Sequence, residues 1–253
     1  MKHSEFKGVI LAGGEGKRLR PLTYYFQKCM IPVGSMQKPL LEYIVRLMRY
    51  HGIKDIIMLV GYKHEQIENY FGDGARFGVS IQYVVDKPGM KGTGGALLNA
   101  YEEGLLSPDE PIIIHYGDII TNIDLSDMMD FHRRMDAAVT VALARGYRLR
   151  VGVADLDDDG RIKKFVEKPV LNVSVSIGVI AADGVMHRVA SRMVGEAVSI
   201  DIMRDIIPAL IERGHPVYGY VTDAFWYDLG SIERFEKLSN SMIDDKLGFL
   251  LKP

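Results

Sequence analysis

One cysteine, Cys29, in 253 residues excludes an intramolecular disulfide and any metal site built from a cysteine cluster. Charge of one sign is also missing. Lys plus Arg total 31 and Asp plus Glu total 33, for a net charge of −2. No global positive field exists to hold nucleic acid, and neither end carries a basic tail. A local anion site stays open, because overall balance says nothing about placement. No apolar run approaches the ~20 residues a membrane helix needs. The opening from Met1 to Lys7 is too polar for a signal peptide. Internal repeats, linkers and low-complexity stretches are absent, as is the short apolar period of a hexapeptide-repeat tail. The expectation is a cytoplasmic protein with no nucleic-acid or membrane partner.

What is present is the balance of a globular chain, 47% hydrophobic and 25% charged. The length lies at the upper end of what one hydrophobic core supports, so residues 1–253 read as a single domain. Gly8–Ala12 is a short, β-branched apolar run ending in Gly13-Gly14-Glu15-Gly16, the pattern of a buried parallel strand and a tight loop. Strands are predicted at 55–60, 80–85, 111–115 and 137–144, alternating with helices at 38–50, 63–71, 94–104 and 125–135. This alternation indicates parallel βαβ units. Beyond Gly146 the pattern changes to a hairpin, 151–156 and 161–166, around the acidic turn Asp157-Asp158-Asp159-Gly160. A strand at 173–181, a helix at 200–212, a strand at 217–222 and a closing helix at 232–246 follow. The predicted class is α/β, a layered αβα Rossmann-like fold whose mixed, mainly parallel sheet carries a small antiparallel lobe.

The most informative segment is Leu11-Ala12-Gly13-Gly14-Glu15-Gly16-Lys17-Arg18-Leu19-Arg20-Pro21-Leu22-Thr23. Glycines after a buried strand let backbone N–H groups approach an anion closely, and Lys17, Arg18 and Arg20 add positive charge beside them. Such a loop suits a triphosphate. Two familiar phosphate loops do not fit: Leu19 stands where a dinucleotide fingerprint needs its third glycine, and Arg18 follows Lys17 where a P-loop needs Ser or Thr. Lys28, five residues on, is a point charge suited to phosphate. Asp118 follows a strand and a glycine, so its carboxylate can project from the strand's C-terminal edge, where open α/β sheets bind ligands. Asp228 sits in the apolar stretch Phe225-Trp-Tyr-Asp-Leu-Gly230. Taken alone, Asp118 and Asp228 could equally cap the helices near Leu125 and Ile232. His115 reads as packing at a strand end.

Leu11 to Thr23 resembles the opening pattern of the sugar-1-phosphate nucleotidyltransferases, the NDP-sugar pyrophosphorylases. The resemblance continues through Lys28-Cys-Met-Ile-Pro-Val33, Lys38-Pro-Leu-Leu-Glu-Tyr43, Gly61-Tyr62, Gly92-Thr-Gly-Gly-Ala96, Gly117-Asp118, Glu167-Lys-Pro169 and Trp226-Tyr-Asp-Leu-Gly230, in family order along nearly the whole chain. It implies an enzyme that transfers NMP from an NTP to a hexose 1-phosphate, giving NDP-sugar and pyrophosphate by in-line displacement. It further implies Mg²⁺ as cofactor, held by Asp118 and Asp228. Arg18, Lys28 and Asp118 are the implied catalytic residues. Leu11, Ala12, Gly13, Gly14, Gly16, Lys17, Gly61, Gly92, Thr93 and Gly94 are the implied nucleotide site, in a half spanning about residues 1–145. Gly152, Glu167, Lys168 and Ser176 are the implied sugar site, in a half spanning about 146–253. The attacking phosphate is already ionised, so no general base is required, and catalysis rests on positioning and charge.

The sequence departs from the family at two places. Cys29 stands where proline is common, and reverting it to proline is expected to be tolerated. Ser176 stands where asparagine is usual and offers one polar group fewer. The stretch Asp86-Lys87-Pro88-Gly89-Met90-Lys91 should touch the base, yet it matches neither the glutamine-bearing thymidylyl pattern nor a uridylyl one. GTP, UTP and dTTP stay open, with mannose, glucose or a related hexose as acceptor. A homo-oligomer is left open by base rate. The short C-terminus argues against an appended acyltransferase or β-helix. The rival reading is a non-catalytic regulatory homologue that binds NDP-sugar.

Overall fold

The computed structural model describes residues 6–149, 151–193 and 199–252. The strands among the described residues are β1 (Lys7–Ala12), β2 (Pro32–Val33), β3 (Lys38–Pro39), β4 (Asp55–Val60), β5 (Ser80–Val85), β6 (Ile112–Tyr116), β7 (Ile119–Thr121), β8 (Val139–Arg148), β9 (Val153–Leu156), β10 (Ile162–Val166), β11 (Val170–Ala182), β12 (Val217–Thr222) and β13 (Trp226–Asp228). The helices among the described residues are α1 (Leu40–Tyr50), α2 (His64–Phe71), α3 (Gly92–Glu102), α4 (Leu125–Arg134), α5 (Gly184–Ser191), α6 (Ile207–Glu212), α7 (Ile232–Lys237) and α8 (Asn240–Leu247).

Seven strands build one sheet in the order β12-β8-β11-β6-β1-β4-β5. All neighbours pair in parallel except β11, which runs antiparallel to both β6 and β8. The central strands are covered on both faces and so read as unbroken apolar runs. Their side chains alternate between two cores. Ile10, Met58 and Ile113 face α1 through Leu41, Ile44 and Met48, while Val9, Ile57 and Ile114 face α3 through Leu97 and Ala100. The expected layered α/β class is therefore what forms.

Several boundaries differ from the sequence reading for local reasons. The helix expected from Lys38 begins at Leu40, because Lys38-Pro39 is spent pairing with Pro32-Val33. The Gly92-Thr93-Gly94 turn is the first turn of α3 rather than a loop before it. The helix expected over 200–212 opens as a π turn, Ile202–Ile206, before α6. The closing helix breaks at Leu238, whose ψ of 100° is extended, and Ser239 starts α8 by accepting from the Met242 N–H at 3.2 Å. The β9–β10 hairpin forms as expected and is exposed throughout. The predicted strands at 137–144 and 173–181 extend to Arg148 and back to Val170, carrying the small lobe away from the sheet.

Candidate active site

The chain leaves β1 at Ala12 and turns at Gly13-Gly14. Gly16 adopts φ +63°, and a Cβ there would sit 2.9 Å from a Thr23 methyl carbon and 3.0 Å from Lys28 Cβ. Only glycine permits both that conformation and that approach. Thr23 Oγ1 donates back to Gly16 O at 3.0 Å. Tyr62 locks the outer edge: its N–H donates to Gly13 O at 3.1 Å and its hydroxyl to Thr23 O at 3.2 Å. Gly61 and Tyr62 thus lie against the glycine loop.

Lys28 opens a short 3₁₀ turn, Lys28–Met30. The residue before it, Gln27, is fully buried and was not singled out by sequence reasoning. Its Nε2 donates to Ala12 O at 2.6 Å, its Oε1 accepts from the Cys29 N–H at 2.6 Å, and its own N–H donates to Gln66 Oε1 at 2.6 Å. A lone glutamine in a polar stretch carries no sequence signal for this role. The Cys29 contact corrects the expectation about proline: proline has no N–H, so Cys29→Pro would leave Gln27 Oε1 unmet. The Cys29 thiol is buried and its pKa is pushed up to about 12, chiefly by desolvation, which makes it inert as a nucleophile.

Lys28 Nζ donates to Asp118 Oδ2, and both side chains are about four-fifths buried. Asp118 follows β6 through Gly117, whose N–H donates to Leu11 O at 2.9 Å, so the carboxylate sits beside the glycine loop. Asp228 joins it by a two-strand ribbon: β13 pairs antiparallel with β7, Asp228 lies opposite Ile119, and the Leu229 N–H donates to Asp118 O at 2.8 Å. Two aspartates more than a hundred positions apart in sequence are thereby neighbours. Neither caps a helix. Asp124 caps α4 by accepting from the Asp127 N–H at 2.9 Å, and Ser231 caps α7 by accepting from the Arg234 N–H at 3.4 Å. Asp228 Oδ2 is ion-paired with Arg234 Nη1, while Asp228 Oδ1 is buried with no hydrogen-bond partner. A Cβ placed on Gly230 would lie 2.7 Å from that oxygen, 3.3 Å from Arg18 Nη2 and 3.4 Å from Arg234 Nη1. Arg18, Arg234 and Asp228 thus converge on one point. Arg234 lies in the closing helix predicted over 232–246, and nothing in its spacing marks it for the site.

The space between these groups is a run of clefts. A cavity of about 380 Å³ is lined by Leu11, Gly13, Gly14, Lys28, Asp86, Thr93 and Asp118, among others. A second, of about 350 Å³, is lined by Gly16, Lys17, Arg18, Lys28 and Gly230. Lys28 is common to both. Lys17 is exposed and pairs with Glu15 at 3.2 Å, whereas Arg18 is exposed with no ion pair among the described residues. Thr93 is committed to the α3 start: its hydroxyl donates to Asp201 Oδ2 and accepts from the Ile202 N–H, both at 2.9 Å. His115 packs at the end of β6, fully buried, with Nδ1 2.9 Å from Tyr116 O and its pKa lowered to about 4 by burial.

The expected sugar residues lie toward the small lobe. A Cβ on Gly152 would approach Glu167 Oε2 to 2.9 Å. Glu167 pairs with Lys168 at 3.4 Å. Lys168 lines a third cleft, about 680 Å³, with Asp228, Arg234, Trp226 and Arg148. Ser176 is exposed, and its hydroxyl accepts from the Gly178 N–H at 3.3 Å. The glycine loop, the cations and Asp118 thus border two clefts that meet at Lys28, while Asp228 and the lobe residue Lys168 line the third.

The two aspartates test the expected metal. Mg²⁺ takes one or two carboxylates plus substrate phosphates rather than a closed protein cage. Among the described residues no group of three or more His, Cys, Asp or Glu could hold an ion, which leaves a two-carboxylate arrangement. The buried, unpartnered Asp228 Oδ1 suits it. The residues present fit the ion.

The chain is similar to known proteins along most of its length. The chain is 31% identical over 239 residues to a UTP–glucose-1-phosphate uridylyltransferase of Synechocystis, covering 89% of this chain and 60% of the relative. It is 32% identical over 249 residues to a mannose-1-phosphate guanylyltransferase of Mycobacterium tuberculosis, covering 96% and 66%. It therefore spans about two thirds or less of the length of these relatives. A solved Bacillus anthracis chain assigned as a glucose-1-phosphate thymidylyltransferase, in complex with a sucrose, superposes with a TM-score of 0.77 at 25% identity, over 95% of this chain and 96% of the other. The family model described as Nucleotidyl transferase matches residues 7–245, and the chain belongs to that family.

Proposed function

We propose that the protein is a sugar-1-phosphate nucleotidyltransferase, joining an NTP to a hexose 1-phosphate with release of pyrophosphate. The observation that carries the reading is the continuity of the two smaller clefts through Lys28. It puts Arg18, Lys28 and Asp118 along a single path from the glycine loop, with Asp228 Oδ1 next to the Gly230 that lines it. A triphosphate following that path has its outer phosphates at Lys17 and Arg18 and its α-phosphate at Lys28.

The chemistry follows from charge. The sugar phosphate oxygen attacks the α-phosphorus, and the bond to the β-phosphate oxygen breaks in line. Lys28 neutralises charge gathering on the α-phosphate, and Arg18 takes up the leaving pyrophosphate. Glu167 orients sugar hydroxyls, with Gly152 leaving the backbone open to them, and Lys168 and Ser176 complete that end. Asp118 and Asp228 would hold Mg²⁺, which supplies Lewis-acid neutralisation of the phosphates when bound. Burial of Cys29 and its raised pKa leave no activated thiol for a covalent step, so direct displacement is the mechanism. One observation favours the regulatory rival: Arg234 occupies one oxygen of Asp228. Pyrophosphate release from a panel of NTPs and sugar 1-phosphates decides between them.

A further inference from the structure

We infer that Arg234 holds the phosphate of the acceptor sugar, exchanging its ion pair with Asp228 for that phosphate as the substrates load; the inference rests on the nucleotidyltransferase reading and deepens it.

The fold sets Arg234 at a border. It lies in the first turn of α7, where its N–H donates to the capping Ser231 Oγ at 3.4 Å and its carbonyl accepts from the Tyr227 hydroxyl at 2.6 Å. Tyr227 precedes Asp228 on β13, so that contact ties the helix carrying the arginine to the strand carrying the aspartate. Gly230 lines the 350 Å³ cleft with Arg18 and Lys28, whereas Asp228 and Arg234 line the 680 Å³ cleft with Lys168. The two clefts come close at Gly230 because it has no side chain. A Cβ there would lie 3.3 Å from Arg18 Nη2, which belongs to the smaller cleft, and 3.4 Å from Arg234 Nη1, which belongs to the larger.

The acceptor has to cross this border. Its sugar belongs to the lobe and the larger cleft, while the α-phosphate that it attacks lies at Lys28. Its own phosphate therefore stands between the two clefts, beside Gly230. The other cations of the larger cleft are placed elsewhere. Lys237 pairs with Glu233 at 2.5 Å along α7, Lys168 pairs with Glu167 at 3.4 Å on the lobe, and Arg148 is exposed at the end of β8. None of these three is among the atoms nearest to Gly230. Arg234 is the cation of the larger cleft that reaches the crossing.

Charge makes the exchange favourable. Asp228 and Arg234 are each about three-quarters buried, and their pair occupies only Asp228 Oδ2, since Oδ1 is buried with no hydrogen-bond partner. Removing one member alone would strand the other charge in a partly dry site. Loading both substrates strands neither, because the carboxylate meets a divalent cation and the guanidinium meets a phosphate. The planar guanidinium fork engages two phosphate oxygens at once. A phosphate monoester has three terminal oxygens, so the fork leaves one to attack the α-phosphorus.

The test measures Mn²⁺ binding by paramagnetic resonance, calorimetric affinity for mannose 1-phosphate and glucose 1-phosphate, and KM for each substrate. It uses wild type, Arg234→Ala and Arg234→Lys. Arg234→Ala should bind Mn²⁺ at least about fivefold more tightly, the Coulomb effect of removing one unit charge about 4 Å away in water. Its affinity for sugar 1-phosphate should fall by about 10- to 100-fold, the range of one hydrogen bond between charged groups, with a matching rise in KM. The KM for NTP should hold, because the glycine loop, Arg18 and Lys28 are untouched. Arg234→Lys should bind Mn²⁺ like wild type and recover sugar 1-phosphate only in part, since the fork is lost. An arginine that merely braces Asp228 would give the opposite sign for the metal and spare the sugar phosphate. Mn²⁺ binding that is unchanged or weaker in Arg234→Ala, or an unchanged affinity for sugar 1-phosphate, overturns the inference. Absence of pyrophosphate release with every pair would reject the transferase reading instead, and the binding ratios would still decide Arg234.

Discussion

Replacing Gln27 by leucine removes one side chain and orphans two buried backbone groups. Leucine is close to glutamine in size, so the core keeps its volume while the Ala12 carbonyl loses a donor at 2.6 Å and the Cys29 N–H loses an acceptor at 2.6 Å. Both residues are about 2% exposed or less, so water cannot substitute. An unmet buried polar group costs roughly 1–3 kcal/mol, so the pair should cost roughly 2–6 kcal/mol. Burying one more apolar side chain offsets part of that, by about 1–2 kcal/mol. The middle of these ranges, a net loss of about 2.5 kcal/mol, corresponds to a Tm lower by about 5–10 °C for a chain of this size. Urea unfolding monitored by circular dichroism measures the first quantity and calorimetry the second. The substitution also frees the turn that carries Lys28, so kcat should fall beyond what the folded fraction explains. A stability change under about 0.5 kcal/mol, within the range of ordinary surface substitutions, would refute the argument that Gln27 pins the loop.

Four further outcomes are expected. Arg18→Ala should lower kcat by at least ~10²-fold, the scale of removing one charge-stabilising donor, and Arg18→Lys should restore only part because the guanidinium fork is lost; steady-state kinetics measure both. Chelation should abolish turnover and Mg²⁺ restore it, and Asp118→Asn or Asp228→Asn should weaken Mn²⁺ binding by paramagnetic resonance while leaving the fold intact. Cys29→Ser should keep most activity, and Cys29 should react with thiol reagents far more slowly in the folded than the unfolded protein, because burial raises its pKa to about 12. His115 has a folded pKa of about 4 against an ordinary 6.5, so the unfolded chain takes its proton first. Stability should be complete above pH 6.5 and fall toward pH 4 by up to roughly 3 kcal/mol, and His115→Asn should flatten that slope in pH-dependent denaturation.

Much of this was legible in the sequence because it depends on local patterns. The apolar runs at 8–12, 55–60 and 111–115 gave central strands because a strand buried on both faces needs no alternation. The glycine loop and its cations were visible because backbone approach to an anion demands small residues at fixed places. What was not legible depends on long-range contact. No spacing reveals that Asp228 and Asp118 meet, since the β7–β13 ribbon joins segments of three residues each. The break at Leu238 was hidden because apolar positions keep helical spacing across it. Gln27 and Arg234 act through partners that the fold brings to them.

The central claim is that Arg18, Lys28, Asp118 and Asp228 transfer a nucleotide rather than merely hold one. Its most direct measurement is pyrophosphate release by the purified protein with Mg²⁺, across NTPs paired with hexose 1-phosphates. Release should require both substrates together, follow sequential kinetics and vanish in Lys28→Ala. No release with any pair, beside tight NDP-sugar binding by calorimetry, would contradict the claim and favour the regulatory homologue. A trapped nucleotidyl-enzyme would contradict direct displacement.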